Sequence, residues 1–132
     1  MQIIRAADQD HRDGPAEHFT GEVDMLALDG PGALLVRFAP SARTAWHTHP
    51  HGQTLYVVSG VARIGREGSA VEQAHAGDTV RFEPGERHWH GASPEGLMAH
   101  VALARTDEKG LPTYWEGHVS DEEYGGSPSR DG

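Results

Sequence analysis

Trp46-His47-Thr48-His49-Pro50-His51-Gly52-Gln53 is the stretch that decides how this chain is read. Residues two apart in a strand point to one face, so His47 and His49 aim together, as two ligands of one metal must. Gln53 follows a tight turn and can bring its side-chain oxygen to the same place. A later segment, Arg87-His88-Trp89-His90, sends two more histidines to one face of another strand. Three imidazoles and one amide oxygen leave open positions on a divalent transition ion for a substrate. His47, His49, Gln53 and His88 are therefore the candidate metal ligands.

Working outward, short strands recur with Gly or Pro between them. Residues 3–5 are expected as a short edge strand and 19–28 as another, ended by the turn Asp29-Gly30-Pro31-Gly32. Residues 33–38, 43–47 and 53–58 follow. Residues 61–66 and 70–73 pair across Glu67-Gly68-Ser69 as a hairpin. Strands at 79–82, 88–91 and 97–104 complete the set. Such spacing is the signature of an all-β sandwich or barrel. Ser120-Asp121-Glu122-Glu123 is a capping-box pattern, so a short helical turn is expected at 120–124. The chain reads as one domain over 1–132, with its barrel core at about 19–104 and a tail over 105–132. Residues 125–132 are expected to be disordered.

Composition narrows the function. With 20 acidic and 11 basic residues, the formal charge is −9. No basic run could neutralise phosphates, so neither nucleic acid nor an anionic membrane is an expected partner. The chain has no cysteine, so a metal site must use nitrogen and oxygen ligands. Residues 1–10 lack a basic start followed by an apolar run, and no stretch approaches the roughly 20 apolar residues of a membrane span. A cytoplasmic protein acting on a small molecule is expected. Of ten histidines, seven lie between His47 and His100.

The metal-binding pattern resembles the two motifs of the cupin family. The first reads His47-x-His49-x3-Gln53-x6-Gly60 and the second Gly77-Asp78-x4-Glu83-Pro84-Gly85-x2-His88. The family usually has Glu where Gln53 stands, and often Pro where Glu83 stands. The resemblance implies a double-stranded β-helix, the jelly-roll cupin barrel. The segments Arg43–Pro50, Gly52–Leu55, Pro84–Ala92, and the later Trp115, His118-Val119 and Asp121-Glu122 resemble a subgroup of bacterial monocupins. That subgroup includes manganese-dependent hydroxynitrile lyases and carboxymuconolactone-decarboxylase-associated cupins. This closer likeness implies manganese, with Fe, Ni or Zn as alternatives, and a homodimer or homotetramer. The activity it implies is cleavage or formation of cyanohydrins, yielding an aldehyde or ketone and hydrogen cyanide. The alternatives are a metal-dependent dioxygenase or decarboxylase of a small aromatic substrate, and a non-catalytic binding cupin.

Other residues fill in the chemistry. Gln53 contributes a carbonyl dipole where Glu would contribute a charge, so the ion keeps nearly its full charge and favours anions. His90 shares a face with His88 and is expected to point inward. His100 stands on a barrel-facing row with Met98, Ala102 and Ala104; it reads either as a satisfied core histidine or as a general base near pKa 6.5. With His90 it is the candidate catalytic group. Val36, Phe38, Leu55, Val57 and Phe82 have inward parity and are the expected apolar pocket lining, with Thr44 adding a hydroxyl. His51 is expected at an exposed turn, and His11, His18, His75 and His118 on the surface.

Overall fold

A computed structural model of the chain describes residues 1–29, 32–104 and 113–126. Among these, two antiparallel sheets face each other around one core, the all-β jelly-roll architecture expected from the sequence. The first sheet runs β1 (Arg12–Asp13), β3 (Val23–Ala27), β4 (Ala33–Phe38), β12 (Met98–Ala104), β7 (Gln53–Ser59) and β10 (Thr79–Phe82). The second runs β13 (Tyr114–Trp115), β6 (His47–Thr48), β11 (His88–Ala92), β5 (Arg43–Thr44) and β2 (Phe19–Thr20); β8 (Val61–Arg66) joins it through β11 and carries β9 (Glu72–His75).

Period-two alternation explains the inner faces. In β7, Gln53, Leu55 and Val57 are buried, while Tyr56 and Val58 are about half exposed. In β12, Met98, His100 and Ala102 are buried and face Val36 and Phe38 of β4 through the register His100↔Val36 and Met98↔Phe38. Leu55, Val57, Met98, Ala102, Val36 and Phe38, with Phe82 and Ile64, belong to the main core. Strand β11 departs from alternation because it is covered on both sides. Its outward residue Trp89 lies in a second cluster with Trp46, Val119 and Tyr124. The cover is α1 (Asp121–Gly125), whose N-cap Ser120 forms a full capping box with Glu123.

Several expected boundaries move. Residues 3–5 form no strand; Ile3 and Ile4 are exposed and a single 3-10 turn follows at Ala6–Asp8. The strand expected over 19–28 breaks at Gly21, which has a left-handed φ of 85°. The second arm of the hairpin sits at Glu72–His75, two residues later than 70–73. Gly125 closes α1 and Gly126 caps it in the left-handed region, so those two are ordered; the turn residues Gly30 and Pro31 and the tail residues 127–132 lie outside the described residues.

The strand expected over 43–47 is interrupted, and this break matters most. Arg43 pairs with Gly91 and His47 with His88, so four steps along one strand match three along β11. The extra residue is a bulge. A regular strand would put Thr44 and Trp46 on one face. The bulge turns Thr44 and His47 inward together and sends Arg43 and Trp46 outward beneath α1.

Candidate functional site

The inward residues meet at a cavity of about 250 Å³ between the sheets. It is below the usual range for drug-sized ligands and suits a small molecule. Its polar floor comprises Thr44, His47, His49, Gln53, His90 and His100. No charged side chain lines it among the described residues.

Backbone geometry fixes the ring orientations. The Nδ1–H of His47 donates to the Ala45 carbonyl at 2.9 Å, and that of His88 to the Glu86 carbonyl at 2.9 Å. Each tautomer then leaves an Nε2 lone pair at the far side of the ring, as metal-binding imidazoles require. The His47 and His88 ring centroids are 4.3 Å apart, and His49 lies 4.9 Å from His47 and 5.5 Å from His88. Gln53 reaches the group because Gly52 turns the chain at φ 81°, with its N–H on the His49 carbonyl at 3.1 Å. A side chain at Gly52 would also crowd the Phe82 carbonyl at 2.7 Å.

The Gln53 Oε1 sits 3.4 Å from His88 Nε2. With the His88 proton committed on Nδ1, two acceptors face each other. Converging lone pairs are what a cation would satisfy, so the donor set fits a divalent ion. One nitrogen each from His47, His88 and His90 can also lie within 4.8 Å of one another. The structure therefore draws His90 into the same cluster, closer to the candidate ligands than its expected catalytic role required.

His90 and His100 form a pair of their own. His100 Nε2 and His90 Nδ1 are 3.2 Å apart, so one donates to the other. His90 Nε2 and His100 Nδ1 are buried without a hydrogen-bond partner among the described residues. The Thr44 hydroxyl accepts from the His90 backbone N–H at 3.2 Å and seats that strand. Burial pushes the His100 imidazole down to about 4, rather than leaving it near 6.5 as expected from the sequence. Burial likewise takes His88 down to about 3, and lowers His47 and His90, the last two also through neighbouring histidines. All four are neutral at neutral pH, with an unprotonated ring nitrogen each.

Val36, Phe38 and Thr44 line the cavity. Leu55, Val57 and Phe82 do not, which corrects the sequence reading: parity gave their face but not their depth. Leu55 and Val57 fill the core, and Phe82 stacks on the back of the His88 ring at 3.5 Å. His51, His75 and His118 are exposed, and so is His11, which lies 3.3 Å from an Asp24 carboxylate oxygen. His18 is not a simple surface residue. It is half-buried, lines the cavity and stacks on Trp115 at 4.3 Å. Trp115, Phe19 and Thr113 complete that side, and none was expected as a pocket residue; the aromatic character of Phe19 and Trp115 was the available signal.

Comparison with known proteins places this architecture. A sequence pattern described as a cupin domain matches residues 34–101. A protein named (R)-mandelonitrile lyase from Granulicella tundricola is 49% identical over 131 residues, covering 94% of this chain and 98% of that protein. A cupin-like protein from Thermotoga maritima has a structure that superposes with a TM-score of 0.76 at 37% identity, over 85% of this chain and 89% of the other. The polyketide cyclase RemF from Streptomyces resistomycificus shares the fold with a TM-score of 0.66 at 18% identity, over 94% and 90% of the two chains.

Proposed function

The chain belongs to the cupin family, and from that premise we propose that it is a metal-dependent lyase that cleaves and forms cyanohydrins. The observation that carries this reading is the His90–His100 pair in a small, uncharged cavity, with a His90 nitrogen within 4.8 Å of one from His47 and one from His88. His47, His49, Gln53 and His88 are the proposed ligands of one divalent ion, with manganese favoured by family likeness. When bound, the ion supplies electrostatic stabilisation for the anion released in the reaction.

The His90–His100 pair takes the substrate hydroxyl proton. Whichever ring donates in their shared hydrogen bond, one outer nitrogen is left with a lone pair and the other with a proton. The lone pair accepts the hydroxyl proton as the carbon–oxygen bond becomes a carbonyl. The carbon–carbon bond to the nitrile breaks, and its electron pair leaves with cyanide. The pair then returns the proton, giving hydrogen cyanide and an aldehyde or ketone. Thr44, with its oxygen already accepting from His90, retains its own proton to steady the substrate oxygen.

The test is release of benzaldehyde from mandelonitrile by the manganese-loaded protein. His100→Ala should keep the metal and lose about 10²–10⁴ in rate, as for removal of a positioned base. No cleavage by metal-replete wild type would reject the reaction. Oxygen uptake with the same substrates would favour the dioxygenase alternative instead. No helix among the described residues is long and apolar enough to cross a membrane. A cytoplasmic homodimer or homotetramer, without nucleic-acid or membrane partners, is proposed with this function; light scattering checks the assembly.

A further inference from the structure

The polar floor of the cavity and its rim come from different parts of the chain. His47, His49, Gln53, His90 and His100 all lie within residues 34–101, the part that matches the general family pattern. Pro15, His18 and Phe19 precede it, and Thr113 and Trp115 follow it. The likeness to the mandelonitrile lyase covers 94% of the chain, too much to leave out either rim segment.

Trp115 is the organised part of that rim. Strand β13 places it opposite His47, and the two rings lie 4.8 Å apart at 42°. The adjoining backbone is held by Glu116 N–H on the Trp46 carbonyl at 2.8 Å and by Trp46 N–H on the Gly117 carbonyl at 2.9 Å. The His18 imidazole covers one indole face, with centroids 4.3 Å apart and planes 6° from parallel. Phe19 meets Trp115 at 5.7 Å and 58°. Phe19 is buried, whereas His18 and Trp115 are only half-buried and border the cavity. With His18 at 4.3 Å and His47 at 4.8 Å against the indole, Trp115 offers the cavity its edge, fixed in place beside the proposed metal cluster and able to meet another ring edge to face.

We propose that Trp115, held in place by His18, seats an aryl substituent on the hydroxyl-bearing carbon and so selects aromatic over compact aliphatic substrates. This deepens the lyase reading and rests on it. Trp115 acts on the substrate; His18 is a positioning residue.

The experiment compares manganese-loaded wild type, Trp115→Ala, Trp115→Phe and His18→Ala, with metal content measured for each. The readout is the kcat/KM ratio for mandelonitrile over acetone cyanohydrin. Trp115→Ala should lower the ratio at least about threefold, within the range for loss of one aromatic pair. Trp115→Phe should recover most of it. His18→Ala should lower it less and shift the Trp115 fluorescence, because the indole loses its cover. A ratio unchanged in metal-loaded Trp115→Ala overturns the inference. Binding of benzaldehyde against acetone, followed by calorimetry, is read in parallel. If wild type cleaves neither cyanohydrin, the lyase reading fails, and a benzaldehyde preference lost in Trp115→Ala still supports the aromatic seat; its absence in wild type rejects it. If Trp115→Ala does not fold, His18→Ala decides: a weakened benzaldehyde preference supports the inference and an unchanged one overturns it.

Discussion

His88 Nε2 and Gln53 Oε1 face each other as acceptors at 3.4 Å, and this pairing shapes what substitution should do. His47→Ala or His88→Ala removes a proposed ligand and one ring contact, with Trp115 or Phe82, but leaves the main core of Phe38, Leu55, Val57 and Met98 in place, so the barrel should stay folded while bound metal is lost. Metal analysis after dialysis, with circular dichroism as the folding control, reads both. Full occupancy in both variants would reject the ligand set. Gln53→Glu adds a negative charge beside the cluster. Coulomb attraction for a cation should rise and attraction for a released anion should fall. The expected result is tighter manganese binding with slower turnover; no change in either would place Gln53 outside the cluster. The spacing of His47, His49 and Gln53 was legible in the sequence because a strand has a period of two and Gly52 marks the turn. Trp115 and His18 were not, since their stacking depends on segments from opposite ends of the chain meeting over the cavity.

At the scale of elements, the bulge between β5 and β6 and the helix α1 act together. The bulge sends Arg43 and Trp46 to the outer side of the second sheet. There Arg43 donates to the Val119 carbonyl at 2.8 Å and to Asp121 at 2.9 Å, and its guanidinium lies 4.7 Å from the Tyr124 ring centre. Arg63 lies 5.0 Å from the same ring and donates to the Tyr124 carbonyl at 2.9 Å. The Tyr124 hydroxyl donates to the Ala92 carbonyl at 2.5 Å, at the end of the strand bearing His88 and His90. A five-residue helix has little stability of its own; this docking holds it. Tyr124→Phe leaves the buried Ala92 carbonyl without that donor and should cost about 1–3 kcal/mol. Denaturant titration measures the loss, and hydrogen exchange should show residues 118–126 opening before the barrel. An unchanged midpoint would mean that α1 is not anchored through this bond. The capping box was readable because its signal is local. The bulge was not, because nothing in Arg43–His47 marks the slip of register; it arises from pairing with β11.

Across the whole molecule, the buried histidines couple folding to pH. His88 falls to about 3 and His100 to about 4, and burial also lowers His47 and His90. In the unfolded chain all four return to about 6.5. Below that pH the unfolded state binds protons that the metal-free native state refuses, so stability falls with falling pH. The loss begins as pH drops through about 6.5 and continues until the native groups titrate, near the values set by burial. Each unit of depression removes about 1.4 kcal/mol per histidine by the lower end of that window, which is large against a typical total of about 5–15 kcal/mol. Metal-free protein should therefore have a lower Tm in mild acid than at neutral pH. Calorimetry near pH 5, in buffers of different ionisation enthalpy, should register proton uptake on unfolding, about two protons of it from His88 and His100 and more from His47 and His90. His100→Leu should reduce that uptake by about one and flatten the dependence of Tm on pH, because one depressed group has gone. An uptake near zero at pH 5 would show that these imidazoles are already charged in the native state. The proton relay would then lack the neutral bases on which the proposed chemistry depends.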